Sequence, residues 1–314
     1  MTRITKNLLL ECKAIVQEHI HRTPVLTSTL LNELSGVDLF FKCENFQRAG
    51  SFKMRGAVHA ISKLTAAQQA KGVVTHSSGN FAQALSLAAR SIGVKAYIVM
   101  PNNAPQVKKN AVRSYGGEVI ECEPNLAARE KAAEEIVEKH GATFLHPSNN
   151  FNVILGQGTA AMELLEDHPD LDFIMTPVGG GGLIAGTALA AHFFGHRCNT
   201  IGGEPFNVDD AYQSLKTGQI VKNESSDTIA DGLRTELGDI NFPIILDYVE
   251  MIIRVEEKEI IDAMHLLWER MKIIIEPSCA VPFAALLKEK EFFKGKKVGI
   301  VLSGGNVDLG NLPF

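Results

Sequence analysis

Short apolar runs alternate with amphipathic stretches along most of the chain. "GVVTH" precedes "NFAQALSLAARSIG", "AYIVMP" precedes "APQVKKNAVRSYG", and "EVIECEP" precedes "AAREKAAEEIVEKHG". Further on, "DFIMTPV" precedes "LIAGTALAAHFFG", and "KVGIVLSGGN" supplies a last strand-like run. Repeated strand–helix alternation predicts parallel sheet with helices on both faces. Glycine closes several of the helical stretches, where a left-handed cap is expected. The opening "MTRITKNLLLECKAIVQEHI" turns charged and amphipathic early, which predicts an N-terminal helix and not a signal peptide.

The stretch from about residue 70 to about 147 holds three or four compact strand–helix units, enough for a small sheet of its own inserted into a larger one. The expected fold class is therefore α/β, with two doubly wound parallel-sheet domains. Residues 1–69 plus 148–314 would form the large domain and residues 70–147 a small mobile one. No repeat, low-complexity segment or Ser/Gly linker interrupts this reading.

Composition narrows the function classes. Apolar residues make up 45% of the 314 and charged residues 21%, normal for a chain with a sizeable core. A net charge of −5 without long blocks argues against nucleic acid, which calls for a basic face. No apolar run approaches the ~18 residues of a membrane span. The five cysteines (Cys12, Cys43, Cys122, Cys198, Cys279) are scattered and lack a C-x-x-C pair, so neither structural zinc nor a disulfide framework is expected. Reduced thiols fit a cytoplasmic enzyme.

Four glycine-rich punctuations carry the candidate chemistry: "GSFKMRGA" around Lys53, "SSGN" (Ser77–Asn80), "GGGG" (Gly179–Gly182) and "SGGN" (Ser303–Asn306). In doubly wound sheets such loops bind ligands beyond the carboxyl ends of strands. No hydrophobic period runs through "AGSFKMRGA", and Gly50 and Gly56 argue against an ordinary helix interior there. "GGGG" follows a strand and opens a helix, so its backbone N–H groups can converge on a phosphate. Gly180, Gly182 and Ala185 also satisfy G-x-G-x-x-A, with Glu204 about 20 residues on. That pattern keeps an NAD-dependent dehydrogenase as a rival from another class. "SSGN" can cap a helix through Ser or Asn, or form a nest for a carboxylate. "SGGN" can be a plain turn, or present a hydroxyl to a ligand ring. Pyridoxal phosphate uses all four: a lysine amine bonds the aldehyde, glycines hold the phosphate and polar groups orient the ring.

"SFKMRGA", "THSSGN", "GQGT", "VGGGGL", "EPS" and "LSGGN", in that order, resemble the fold-type II pyridoxal-phosphate enzymes, in particular the serine racemase and threonine/serine dehydratase family. The resemblance covers nearly the whole chain and implies a role for each matching residue. Lys53 would carry the cofactor through an imine, with Phe52 against it. Asn80 would bond the ring 3-oxygen, Gly179, Gly180, Gly181 and Gly182 the phosphate, and Ser303 the pyridine nitrogen. Ser77, Ser78 and Gly79 would meet the substrate carboxylate, with Ser78 facing Cα opposite Lys53. Glu204, the Val208 carbonyl and Asp210 match a divalent-cation site, suited to Mg²⁺ or Ca²⁺ completed by water. The family further implies a homodimer and a free amino acid as substrate.

The sequence departs from the family in places. Phe81 stands where histidine is usual, "HPSNN" replaces the common variants after "HP", and Cys279 occupies a small-residue position. The sequence runs eight residues past Asn306, so the regulatory domain of biosynthetic threonine dehydratases is not expected, which favours the serine racemase or catabolic branch. The expected activity is racemisation or β-elimination of serine-like β-hydroxy amino acids, and the alternative is an L-threonine or 3-hydroxyaspartate ammonia-lyase without a racemase role. Arg55, beside Lys53 in sequence, is a candidate for depressing the lysine pKa.

Overall fold

The computed structural model describes residues 4–314. Helix α1 (Lys6–Val16) is capped by the Thr5 hydroxyl, which accepts the Leu8 N–H, and buries Leu9, Cys12 and Val16. Strand β1 (Val25–Leu26), α2 (Thr29–Ser35) and β2 (Asp38–Cys43) follow, and two short 3-10 turns lead into α3 (Lys53–Ser62) and α4 (Ala66–Lys71). Next come β3 (Val73–His76), α5 (Asn80–Ile92), β4 (Ala96–Pro101), α6 (Gln106–Ser114), β5 (Glu118–Cys122), α7 (Leu126–His140) and β6 (Thr143–Phe144). The chain then runs through α8 (Phe151–Asp167), β7 (Phe173–Pro177), α9 (Gly182–Phe194), β8 (Asn199–Pro205) and α10 (Asp210–Thr217). It continues with α11 (Phe242–Tyr248), β9 (Val249–Val255), α12 (Glu257–Met271), α13 (Pro277–Lys288), α14 (Lys290–Phe293) and β10 (Lys297–Leu302). Among the described residues no helix is long and apolar enough to cross a membrane.

Two sheets result, a six-stranded one in the order β1-β2-β10-β7-β8-β9 and a four-stranded one in the order β5-β4-β3-β6. Every strand pairing is parallel except β1 with β2. The fold class is α/β, as the alternation predicts. The antiparallel edge escapes the pattern because β1 has two residues and no apolar run of its own. A core containing Ile98, Leu85, Ile154 and Ile184 runs continuously from the small sheet to the large one, and a second core under α12 and α13 covers the other face of the large sheet.

One local expectation fails. Gly56 lies inside a helix, α3, although glycine costs about 1 kcal/mol there relative to alanine. The reason comes from α8. A Cβ at Gly56 would stand 2.9 Å from the Val153 carbonyl, and one at Gly156 would stand 2.5 Å from the Arg55 carbonyl. The "GQG" glycine Gly158 does the same for α9, where a Cβ would meet the Gly186 carbonyl at 2.5 Å. Glycines thus let α8 wedge between α3 and α9 at backbone distance, and this brings the N-terminal ends of the three helices together.

Candidate active site

Lys53 opens α3 at that meeting point. The preceding residues Ala49 and Gly50 take left-handed conformations (φ 57° and 71°), and the chain then clamps onto "SGGN". Ser51 pairs with Gly304, and the Phe52 N–H donates to the Ser303 carbonyl at 3.1 Å. Lys53 Nζ donates to the Pro147 carbonyl at 3.0 Å and lies 4.9 Å from the centre of the Phe52 ring. The side chain is half-buried, with some surface open while protein surrounds its ammonium. Burial pushes that ammonium down to about 8, against a smaller upward pull from Glu276. Arg55 takes no part. Its guanidinium is turned into a buried ion cluster, where Nε bonds Glu44 at 2.7 Å and Nη1 bonds Glu163 at 2.9 Å.

The "SSGN" loop follows β3, but the expected side-chain cap on α5 is missing. Gly79 occupies the cap position, and no side chain accepts a first-turn N–H of the helix. The Asn80 amide instead faces Glu276, donating to its two oxygens at 2.8 and 3.0 Å, while its own oxygen accepts from Asn306 at 2.9 Å. Burial raises the Glu276 carboxyl to about 7. Glu276, in "EPS", has no role legible from the motif; its place between Asn80 and Gly304, where a Cβ would lie 2.8 Å from Glu276 Oε1, depends on tertiary contacts.

The glycine loop between β7 and α9 leaves no room for side chains. A Cβ at Gly179 would stand 2.8 Å from Leu233 Cα, at Gly180 2.4 Å from Ser148 Oγ, and at Gly182 2.5 Å from Gln157 Oε1. Gly181 has φ 77° and caps α9 without a side chain, so the first-turn N–H groups of α9 are left bare. A bare, crowded cradle of backbone donors at a helix N-terminus fits a phosphate. Ser148 joins this cradle to Lys53, because it directly follows Pro147. All four punctuations therefore converge on one place, and Lys53, Phe52, Asn80, Gly179–Gly182 and Ser303 are assembled there. Ser77, Ser78 and Gly79 lie at its edge, half-buried at the start of α5.

Glu204, at the end of β8, does not serve this cradle. Its carboxylate accepts the N–H groups of Ala211 at 3.1 Å and Tyr212 at 2.8 Å. Asp210 accepts from the Leu237 N–H and from the Asn223 amide, each at 2.8 Å. Both acids are buried; burial and then the Asp210 charge push Glu204 well above its ordinary value, and burial pushes Asp210 to about 7. Val208 is buried on the turn between them. Among the described residues no three His, Cys, Asp or Glu side chains form a metal cage. Two carboxylates short of positive charge, with one carbonyl, still suit a hard cation that keeps its waters. The link to the cradle is Leu237, whose Cδ2 would lie 2.5 Å from a Cβ at Gly181.

Two further groups carry no sequence signal of their own. His146, in "HPSNN", sits between His76 and Lys53, and both lower its pKa in addition to burial. Arg129, near the start of α7, lies close enough to His76 to lower its pKa, and its buried Nε has no hydrogen-bond partner among the described residues.

A lysine desolvated beside a bare glycine cradle, with a strand-end hydroxyl and an asparagine around it, defines a class. The chain belongs to the pyridoxal-phosphate dependent enzymes, whose family pattern matches residues 16–304. It is 49% identical over 318 residues to serine racemase of Dictyostelium discoideum, covering 99% of this chain and 98% of that protein. It is 48% identical over 299 residues to beta-hydroxyaspartate dehydratase of Paracoccus denitrificans, covering 95% of each. The crystal structure of the Dictyostelium discoideum serine racemase matches with a TM-score of 0.93, over 98% of this chain and 99% of that one. Family membership sets the dinucleotide reading aside, and the geometry agrees, since Glu204 is engaged by the first-turn N–H groups of α10.

Proposed function

We propose that this enzyme racemises serine-like β-hydroxy amino acids and eliminates their β-hydroxyl, releasing a keto acid and ammonia. The observation that carries the reading is the lowered Lys53 amine beside the bare cradle of Gly179–Gly182. Similarity to both a racemase and a dehydratase supports the pair of reactions.

Bound pyridoxal phosphate would supply an electron sink that acidifies the Cα hydrogen of an attached amino acid. Lys53 would hold it covalently, the glycine loop its phosphate, Phe52 one ring face and Asn80 the ring oxygen. Ser303 would offer a hydroxyl to the ring nitrogen and, unlike a carboxylate, could not keep that nitrogen protonated, which would favour fast loss of a β-hydroxyl or fast return of a proton. The free Lys53 amine would act as the base: at about 8, a useful fraction is neutral near physiological pH. Ser77, Ser78 and Gly79 would bind the substrate carboxylate with the bare N–H groups of α5. Ser78 would give or take the proton on the opposite face of Cα.

A second reading of the substrate rests on Arg129. An unpaired guanidinium nitrogen on the same side as His76 suits a second carboxylate, which favours 3-hydroxyaspartate over serine. Residues 70–147 would close as a lid, drawing Ser78 toward Lys53; the Lys108–Asp231 ion pair at 3.0 Å already joins α6 to the loop after α10. Glu204, Val208 and Asp210 would hold Mg²⁺ or Ca²⁺, and the active form would be a cytoplasmic homodimer.

The test is a panel of L- and D-serine, L-threonine and the hydroxyaspartates, run on the wild type and on Ser78→Ala. Ser78→Ala should suppress L-to-D conversion at least tenfold more than keto-acid release from the L-substrate, within the ~10²–10⁴-fold worth of an acid–base group. Equal losses would leave Ser78 only a carboxylate ligand. No D-product from wild type would make the enzyme a dehydratase.

A further inference from the structure

His146 follows β6 and sits in a junction of the two sheets. Its ring packs edge-on against His76 at 6.3 Å and against Phe144 at 6.4 Å. Its Nδ1 accepts two backbone N–H groups, from Ser148 at 3.2 Å and from Asn149 at 2.8 Å. An Nδ1 that accepts must be unprotonated, so the ring is neutral with its hydrogen on Nε2. The same two-bond turn recurs four residues later, where Asn150 Oδ1 accepts the N–H groups of Asn152 at 3.0 Å and Val153 at 3.1 Å to start α8. The imidazole thus does what an Asx side chain does in such turns.

The turn it folds is the one that touches the chemistry. Pro147 lies inside it, and its carbonyl receives Lys53 Nζ at 3.0 Å and the Gln157 amide at 3.3 Å. Ser148 abuts Gly180 and Gly182, and Asn149 bonds Asp239 at 2.8 Å. We propose that His146 is a positioning residue for the Lys53 amine: by holding the 146–149 turn at Nδ1, it fixes the Pro147 carbonyl that orients the amine. A neutral amine that donates one hydrogen to a fixed carbonyl has its lone pair directed elsewhere, which is what a base needs. Neutrality of the ring matters as well. Lys53 is faced by His146 and, from the start of α13, by Glu276; His146 is faced by His76 from β3, Lys53 from α3 and Asp239 from the segment before α11, with Arg129 of α7 behind His76. A negative side chain at 146 would favour the ammonium form of Lys53. A neutral acceptor leaves the base available. This inference rests on the reading of Lys53 as the reacting amine.

Three variants of the full-length, cofactor-loaded enzyme separate the parts of the proposal, with His146→Leu removing the acceptor, His146→Asn restoring a neutral one and His146→Asp restoring it with a charge. His146→Leu is expected to lower kcat about 10²-fold, the scale of a 1 Å misplacement, with KM changed less than threefold. Deuterium uptake by a peptide spanning residues 146–150 should rise in parallel. His146→Asn should recover most of kcat and the protection of that peptide. His146→Asp should keep the protection but move the acid limb of the kcat–pH profile upward by about one unit, because a nearby anion stabilises the ammonium. The proposal is overturned if His146→Leu keeps both kcat and protection, or if His146→Asn protects the peptide yet is as slow as His146→Leu. Should His146→Leu not fold, identical acid limbs for the Asn and Asp variants overturn it. Lys53→Ala runs alongside: turnover by that variant would sink the reading of Lys53 itself, whereas a dead Lys53→Ala with inert His146 variants would sink only this inference.

Discussion

Lys42 and Lys53 both reach into the protein interior, and they meet opposite surroundings. Lys42, on β2, is fully buried; it donates to Glu163 at 2.7 Å and to the Thr23 carbonyl at 2.7 Å. Around it, Arg55, Glu44 and Glu163 complete a cluster of two cations and two anions. Lys53 has a carbonyl as its hydrogen-bond partner, and the one carboxyl that pulls on it, Glu276, is itself raised to about 7 by burial. Burial lowers both ammoniums. At Lys42 the carboxylates push back, and the lysine serves as a structural cation. At Lys53 little does, and the amine is left reactive. A buried charge with internal counter-charges belongs to the scaffold; one without them marks where an outside partner is received. Glu204 and Asp210 are likewise buried without an internal counter-charge, and burial raises both.

The largest expected effect sharpens this contrast directly. Lys53→Ala should abolish covalent cofactor attachment and lower turnover by at least the ~10²–10⁴-fold of a lost general base. Lys42→Met should keep attachment and most turnover per folded molecule. In cofactor-free protein the Lys53 amine, protonated below about 8 and neutral above it, should acylate with a midpoint near that pH. A lysine in an unstructured reference peptide would follow near ~10.4. Mass-spectrometric mapping reads both, and a Lys53 midpoint among the surface lysines would erase the difference between the two sites.

Breaking the neutralised cluster is the next largest. Glu163→Gln strands Lys42 and Arg55 with Glu44 alone, and removing one partner of a buried pair costs about 3–5 kcal/mol. Denaturant melts should show that loss while the cofactor absorbance persists. An unchanged midpoint would mean that water or protonation already screens the cluster. The smallest effect belongs to the acidic pair. Mg²⁺ at about 100 times its Kd should stabilise the native state by about 2.7 kcal/mol, and Glu204→Gln should remove that response. If neither Mg²⁺ nor Ca²⁺ shifts the melt, protonation alone neutralises the pair.

The strand–helix alternation and the four glycine-rich loops were legible because they are local in sequence, and the family resemblance rests on those loops. Features made by distant contacts were not. Gly56 argues against a helix until α8 is seen to press on it. Arg55 looks adjacent to Lys53 in sequence, but residues two apart on a helix point to nearly opposite sides, and Arg55 points at Glu44 and Glu163. "SSGN" is open in sequence to a helix cap or a carboxylate nest, and its side chains leave the α5 N–H groups free. Glu276, His146 and Arg129 owe their character to burial and to neighbours on other elements, which no spacing reveals. The strand β1 was too short for any period to register.

The order of the large sheet constrains how the protein is made. Strand β10, the latest of that sheet to leave the ribosome, lies between β2 and β7. Until Lys297–Leu302 has emerged, β2 has no parallel neighbour and the edge of β7 stays open, so the sheet cannot close during most of translation. The four-stranded sheet has no such wait, because all its strands lie between Val73 and Phe144. Nascent chains halted near residue 200 should already protect β3–β6 from proteolysis while β2 and β7 remain cleavable. The half of the site that carries Ser78 would thus take shape first, and the half that carries Lys53 would form last, clamped by Ser303 and Gly304 as β10 slides into place.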